Sequence, residues 1–162
     1  QIAEQVGLTK AALYYHFVGK EEIFVPIVER YLNRTAELLD MASAERLDCR
    51  SQLSAIVHAI LTQPVEERAI LRLASQELGN ISPEARGRFL ILYHEKFIGR
   101  LTALLDAGIS SGELRAIDAR LATWTLLGMM YPYFHPSPAT GLMMDDTQID
   151  TLVSIYFDGL LA

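Results

Sequence analysis

Length, composition and charge limit the protein classes that this sequence can represent. The chain has 162 residues, of which 51% are hydrophobic and 21% are charged, and this balance predicts a folded domain with a core of its own. The longest mostly apolar stretch, residues 121–134, is shorter than the roughly 20 residues that a membrane-spanning helix needs. The single cysteine, Cys49, excludes an internal disulfide and a cysteine-based metal site, so we expect a protein of the reducing cytoplasm.

The net charge of −6 is unevenly distributed along the chain. Residues 1–34 carry four basic and four acidic side chains, so the whole acidic excess falls in the rest of the sequence. This distribution argues against indiscriminate nucleic-acid binding, and it leaves the N-terminal end as the part that can approach phosphates.

The sequence begins with two short predicted helices joined by a tight turn. Apolar residues within 2–6 predict an amphipathic helix that ends at Gly7, and Thr9 can cap a second helix that runs to Gly19. Ala3, four positions before Gly7, lets the two helices approach closely. This pattern is typical of a helix-turn-helix, although an ordinary helical corner shows it as well.

The second helix ends in consecutive ring-bearing residues. Leu13 and Phe17, four apart, take its buried face, and because successive residues are ~100° apart, residues 14–16 must point elsewhere. Their hydroxyl and imidazole groups can bind phosphate oxygens or contact thymine methyls. Lys10 opposes the helix dipole unless an external anion lies beside it. DNA fits this pattern, and the alternative is a set of rim aromatics packed against a preceding helix.

Residues 2–24, IAEQVGLTKAALYYHFVGKEEIF, resemble the second half of the TetR-family DNA-binding domain, most recognisably in LYYHF followed by GKEE. The resemblance implies contacts with bases or adjacent backbone from Thr9, Lys10, Ala11 and Tyr14, and with phosphates from Tyr15, His16 and Lys20. A solvated surface lysine is the alternative for Lys20. Family members carry further helical sequence before this point, so we expect an N-terminally truncated member that binds DNA poorly as it stands.

The remaining sequence predicts further helices and no alternating strand pattern, so the expected fold is all-α. The helices are predicted at Lys20 to about Met41, with a kink at Pro26, and then at about 52–62, 65–78, 83–109, 118–131 and 147–161. Ser82-Pro83-Glu84 is a strong start signal. Together with the family resemblance, this order of helices implies a partial helix-turn-helix domain with its linking helix in residues 1–45, and an effector-binding and dimerisation domain in residues 46–162.

The last two predicted helices are apolar nearly all round, and such helices need cover on every side. A second subunit can supply this cover through a two-fold interface, and the alternative is that both helices are internal. The candidate interface residues are Leu121, Ala122, Gly128, Leu152 and Tyr156.

A small-molecule effector is implied by the family resemblance. The candidate ligand-binding residues, most of which ordinary core packing would explain, are Phe89, Tyr93, Phe97, Trp124 and Met130. No catalytic motif, metal site or cofactor is predicted, and His58, His94 and His135 are interpreted as surface or core residues.

The predicted function is a ligand-responsive repressor that binds palindromic DNA as a homodimer and is released by a small lipophilic effector. The alternative is a helical small-molecule-binding dimer, or an enzyme, without DNA recognition. The acidic balance and Pro26 slightly favour this alternative.

Overall fold

The computed structural model describes residues 20–44, 48–134 and 144–158. Within these ranges the chain is helical apart from short connections and has no strand, which confirms the all-α prediction. The helices are α1 (Lys20–Ala44), α2 (Cys49–Leu61), α3 (Val65–Glu77), α4 (Pro83–Tyr93), a π-helical turn (His94–Ile98), α5 (Gly99–Ser111), α6 (Ala119–Met130), a 3₁₀ turn (Tyr131–Phe134) and α7 (Asp146–Asp158). Among them, none combines the length and the apolar character that crossing a bilayer requires.

Four helices begin after a residue whose side-chain oxygen caps the free backbone N–H groups of the first turn. The capping residues are Asp48, Ser82, Asp118 and Asp145, and each accepts a hydrogen bond from the N–H three residues further on, at 2.8, 3.2, 2.9 and 2.8 Å. The predicted start at Ser82-Pro83 is confirmed. Because Asp48 caps α2, that helix begins at Cys49, earlier than its apolar spacing indicated.

The helix predicted over residues 83–109 is a rod of three segments. The π-helical turn joins α4 directly to α5 and interrupts the regular hydrogen-bond ladder, a feature that often marks functional sites. A Cβ added to Gly99 would lie 3.0 Å from the carbonyl oxygen of His94, so a side chain would be crowded where the turn ends. The rod ends at Gly112, whose φ of 83° is left-handed.

Helix α1, which follows the N-terminal segment, is itself part of the hydrophobic core of the larger domain. Its apolar face, from Val28 to Leu39, is buried and packs against α2, α3, α4 and the π-helical turn. The helix continues through Pro26, and the kink predicted there stays a prediction. Helix α2 also packs on α5 and α7, and α5 packs on α6. Leu53, Leu105 and Phe157 are fully buried in this core.

Helices α2 and α5 approach most closely at Gly108. A Cβ at this position would lie 2.7 Å from Cys49 Sγ and 2.9 Å from its Cβ, so only glycine fits without displacing its neighbours. The Cys49 backbone N–H donates to Glu113 Oε2 at 2.6 Å, which holds the start of α2 against the end of α5. Burial raises the pKa of the Cys49 thiol to about 11.

Candidate DNA-presenting and effector sites

The predicted DNA-contacting residues stand at and before the start of α1. Lys20 is the first residue of α1, so it does occupy a helix N-terminus. The other six predicted contacts, from Thr9 to His16, lie outside the described residues. Helix α1 is therefore the described element that follows the predicted DNA-reading segment along the chain.

The first turns of α1 are tied to α4 by two polar contacts. The carboxylate of Glu21 accepts hydrogen bonds from the backbone N–H of Ser82 and, at 2.9 Å, from its hydroxyl. Two turns later, Arg88 Nη2 donates to Glu29 Oε1 at 2.8 Å. The contacts border a groove of about 550 Å³ whose lining also includes Glu84. A groove so rich in carboxylates is a poor site for an anionic ligand.

Three of the predicted effector residues form a column of rings across α4 and the π-helical turn. The Phe89 and Tyr93 rings lie 5.6 Å apart at 12°, and the Tyr93 and Phe97 rings lie 5.7 Å apart at 51°. Phe89 and Phe97 are buried, whereas Tyr93 is half-buried. This column is an apolar stack of rings with one phenolic group at its centre.

The other two predicted effector residues, Met130 and Trp124, differ in how deeply they are buried. Met130 is buried at the end of α6, whereas Trp124 is 51% exposed on the outside of the same helix. Trp124 therefore lies outside the buried core that holds the ring column, and its part in ligand binding stays a prediction. The physical reason is that α6 is apolar on two faces, and Trp124 lies on the outer one.

A buried polar cluster beside the ring column was missed by sequence reasoning. Arg68 on α3 is 2% exposed and donates through Nη1 to the carbonyl oxygen of Tyr133 at 2.8 Å. Burial lowers the pKa of Arg68 and raises the pKa values of Tyr31 and Tyr93 to about 12. The nearby charges of Glu67 and Arg68 also act on Tyr31. No motif signals this cluster, because its members come from three separate helices.

An exposed apolar face lies on α6 and α7. Leu121, Trp124 and Tyr131 are each more than half exposed, Gly128 lies among them at helical spacing, and Ile155 on α7 is 62% exposed. Two of the predicted interface residues, Leu121 and Gly128, belong to this face.

The three other predicted interface residues are buried within the chain, and their place in an interface stays a prediction. Ala122, Leu152 and Tyr156 are buried, and the Tyr156 hydroxyl donates to the Ala122 carbonyl oxygen at 3.0 Å. Burial raises the pKa of Tyr156 well above its ordinary value. These residues join α6 to α7 within one chain, since the inner of the two apolar faces packs against the chain's own core.

One of the described histidines, His58, joins two helices. His58 on α2 contacts two carboxylates of α7, with Nε2 2.8 Å from Asp150 Oδ1 and Nδ1 3.6 Å from Asp146 Oδ1. These contacts engage both ring nitrogens and join α2 to α7. Across the described ranges, no group of three or more potential metal ligands comes together.

Two family profiles and several known proteins resemble this chain. Residues 1–27 match the profile of bacterial regulatory proteins of the tetR family, and residues 46–157 match the profile of the tetracyclin repressor-like C-terminal domain. The HTH-type transcriptional repressor KstR2 of Rhodococcus jostii (strain RHA1) is 25% identical over 160 residues, which span 98% of this chain and 78% of that protein.

Two solved structures illustrate the likeness in fold. The TetR family transcriptional regulator PfmR from Thermus thermophilus is 28% identical, with a TM-score of 0.73 over 96% of this chain and 82% of that one. AibR, solved in complex with isovaleryl coenzyme A and operator DNA, is 20% identical, with a TM-score of 0.73 over 95% and 83% of the two chains. At this identity, the likeness to AibR shows the fold alone.

Proposed function

The chain belongs to the TetR family of bacterial regulatory proteins and is a ligand-responsive transcriptional repressor, and we propose that it binds a palindromic operator as a homodimer and leaves it when a small lipophilic effector binds. The observation that carries this proposal is the order of the two matched regions, a DNA-reading segment in residues 1–27 and an effector domain in residues 46–157. Helix α1 connects them. We assign the protein to the cytoplasm and assign it no catalytic activity.

Some contacts of the DNA-reading helix would recognise the base sequence, and others would position the protein on the DNA backbone. Side chains in the major groove specify bases, and contacts with phosphates set the register. We assign base or adjacent backbone contacts to Thr9, Lys10, Ala11 and Tyr14, and phosphate contacts to Tyr15, His16 and Lys20. Two such helices, ~34 Å apart in a dimer, would read successive major grooves of a palindrome.

The exposed apolar face of α6 and α7 supports the dimer. Leu121 and Trp124 on α6, Tyr131 at the start of the 3₁₀ turn and Ile155 on α7 are large apolar groups that are each more than half exposed in a single chain. A face of this kind is typical of a protein interface. A two-fold axis through this face would cover both helices of each subunit.

The ring column supports an effector with a substantial apolar part. Phe89, Tyr93 and Phe97 supply the lining, and Met130 lies in the same buried core. AibR was solved with isovaleryl coenzyme A, so acyl thioesters of coenzyme A are the first class of effector to test. The effector would act through a different affinity for the DNA-bound and released states, and effector and DNA would weaken each other by the same factor.

Fluorescence anisotropy of the full-length protein on DNA tests this function. A duplex selected from a random library should be palindromic and should bind more tightly than a scrambled duplex, with an affinity that falls as salt is raised. Acyl-CoA thioesters of increasing chain length should then release the protein. Selection without an enriched sequence, or equal binding to the scrambled duplex, would contradict the proposal.

A further inference from the structure

Helix α1 packs against the helical rod that α4, the π-helical turn and α5 form, and polar contacts join the two at both ends of α1. The N-terminal half of α1 is bound to α4 through Glu21 and Glu29. Towards the other end, Arg100 of α5 donates through Nη1 to the carbonyl oxygen of Ala36 at 3.2 Å and to the carboxylate of Asp40. Because these contacts come in the same order along both elements, α1 and the rod run in the same direction.

The two arginines that contact α1 have a spacing that an ordinary α-helix does not place on one face. Arg88 and Arg100 are twelve positions apart, and residues with this spacing point ~120° apart in an α-helix of 3.6 residues per turn. The core residues Phe89 and Leu101 have the same spacing, and both are buried. The two carboxylates of α1 that the arginines contact are eleven positions apart, which is ~20° from three complete turns. An adjustment is therefore needed in the rod and not in α1.

The π-helical turn lies between the two arginines and supplies this adjustment. Its hydrogen bonds reach one residue further than those of an α-helix, as in the bond from the Gly99 N–H to the carbonyl oxygen of His94. Since the turn takes in one residue more, the twelve positions from Arg88 to Arg100 rotate about as far as eleven positions of an α-helix, ~20° from three complete turns. Glycine suits the end of this turn, because a Cβ at Gly99 would lie only 3.0 Å from the same carbonyl oxygen.

We propose that the π-helical turn is a register element, whose extra residue lets one continuous rod hold α1 at both ends and so fix its direction. Arg88 and Arg100 are then positioning residues, which act on DNA only through α1. The part of this inference that concerns DNA rests on the repressor function proposed above, and the part that concerns the rod does not. A shift of the rod would reach α1 at two widely separated points, so α1 would follow as a rigid lever and would not bend at Pro26.

Removal of one exposed residue from the turn tests the register. Without Glu95, which is exposed within the turn, eleven positions separate the arginines, and an unbroken α-helix brings both of them to α1. We expect this deletion variant of the full-length protein to melt at or above the temperature of the wild type, since α-helical hydrogen bonds replace the π-helical ones. The matched control lacks Ala103, which is exposed between the buried residues Leu101 and Leu105. It should melt roughly 10 °C or more below the wild type, because one of these leucines must leave the core.

Operator affinity, measured by fluorescence anisotropy on the selected duplex, tests the positioning role of Arg100. Arg100→Gln removes the charge that binds Asp40 and should weaken operator binding roughly three- to tenfold, because α1 is then held at one end only. Arg100→Lys keeps a cation for the same carboxylate and should recover part of the loss. The melting temperature should change little in either variant, since a partly exposed ion pair contributes little to stability. The matched control, Arg86→Gln, removes the same charge from an exposed position of α4 and should leave the affinity nearly unchanged.

The two sets of variants can each overturn one part of the inference. If the variant lacking Glu95 melts below the wild type, or if the variant lacking Ala103 melts as high as the wild type, the turn is not a register element. If Arg100→Gln keeps wild-type operator affinity, or if Arg100→Gln and Arg86→Gln lose it equally, Arg100 does not position α1. A full-length protein that binds no operator contradicts the proposed repressor, and the melting temperatures of the two deletion variants still decide the role of the turn.

Discussion

The Glu21 carboxylate on α1 extends the cap of α4 by accepting hydrogen bonds from both the backbone N–H and the hydroxyl of Ser82. The same hydroxyl oxygen accepts the backbone N–H of Ala85 at 3.2 Å. A negative charge beside a helix N-terminus is favourable. The first turn of the linking helix is thereby bound to the first turn of the helix that carries Phe89, and we expect a displacement of that helix to reach the N-terminal end of α1.

Removal of this contact should weaken the effector response more than it weakens DNA binding. In Glu21→Ala, α4 loses its tie to α1 at this end, and we expect a stability loss of about 1 kcal/mol, as for the loss of a helix cap. The ratio of operator affinities without and with effector should fall roughly three- to tenfold, since coupling requires that the effector bias both helices together. Anisotropy titrations of operator DNA at saturating and zero effector measure this ratio.

Glu84→Ala is the matched control for this prediction. Glu84 lines the same groove and stands in the first turn of α4. Its removal therefore changes the groove by the same charge while leaving the contact between Glu21 and Ser82 in place. An equal loss of the response in both variants would show that groove charge, and not the bond to Ser82, carries the coupling.

A charge on the exposed face of α6 should separate the subunits. Trp124→Glu and Leu121→Glu each put a carboxylate into the proposed interface twice, once from each subunit, so we expect each to weaken dimerisation more than tenfold. Light scattering should show a monomer at concentrations where the wild type is a dimer. Operator affinity should fall as well, because only a dimer spans both half-sites.

The comparison variant for dimerisation is Leu73→Glu. Leu73 is 46% exposed on α3, so it matches Leu121 in chemistry but lies on a helix outside the proposed interface. It should remain dimeric. If Trp124→Glu keeps the mass of a dimer, the apolar face of α6 is not the interface.

The helices were predictable because their signals are local. Ser82-Pro83 marks the start of α4 at the residues themselves, and Asp118 similarly marks the start of α6. Helix α6 carries apolar residues on two sides, so the sequence could not predict which side packs against the core and which faces the solvent. Periodicity finds both sides but does not indicate which one packs inward, and so it does not distinguish Ala122, which is buried, from Leu121, which is 59% exposed.

Only the ring column of the candidate effector site could be predicted from the sequence. Phe89, Tyr93 and Phe97 follow one another at spacings of four residues, so their column could be read from the sequence. The polar cluster could not, because Tyr31 and Arg68 stand 37 positions apart and meet only when α1 packs on α3. Neither residue type is unusual on a helix surface, and their burial is a tertiary property.

Stability should decline at alkaline pH as buried acidic groups are forced to ionise. Burial raises the pKa of Cys49 from 9.0 to about 11, so the folded state holds this proton more tightly than the unfolded state. The contribution is complete below pH 9 and is lost as the pH rises from about 9 to 11. Tyr31 and Tyr93 add a loss of the same sign between about 10 and 12. Urea unfolding midpoints from pH 8 to 10 should therefore fall, and they should fall less steeply in Cys49→Ala.

Two glycine substitutions in the long helical rod should have opposite effects on stability. In Gly108→Ala, the new Cβ would lie 2.7 Å from Cys49 Sγ, with the Cys49 Cβ only slightly further away, so α2 and α5 must separate. We expect a loss of about 1–3 kcal/mol, as for overpacking of a core. In Gly87→Ala, nothing lies within 4 Å of the added Cβ. The higher helix propensity of alanine should then raise stability by about 0.5–1 kcal/mol.

Urea denaturation of both glycine variants and of the wild type measures these free energies. The two changes add the same methyl group to the same rod, so general effects of alanine on the unfolded chain cancel between them. A double variant, Gly108→Ala with Cys49→Ala, removes the sulfur that the new methyl meets but keeps the Cys49 Cβ. It should therefore be less unstable than the sum of the two single changes predicts. Strict additivity would mean that α2 and α5 do not meet at this glycine.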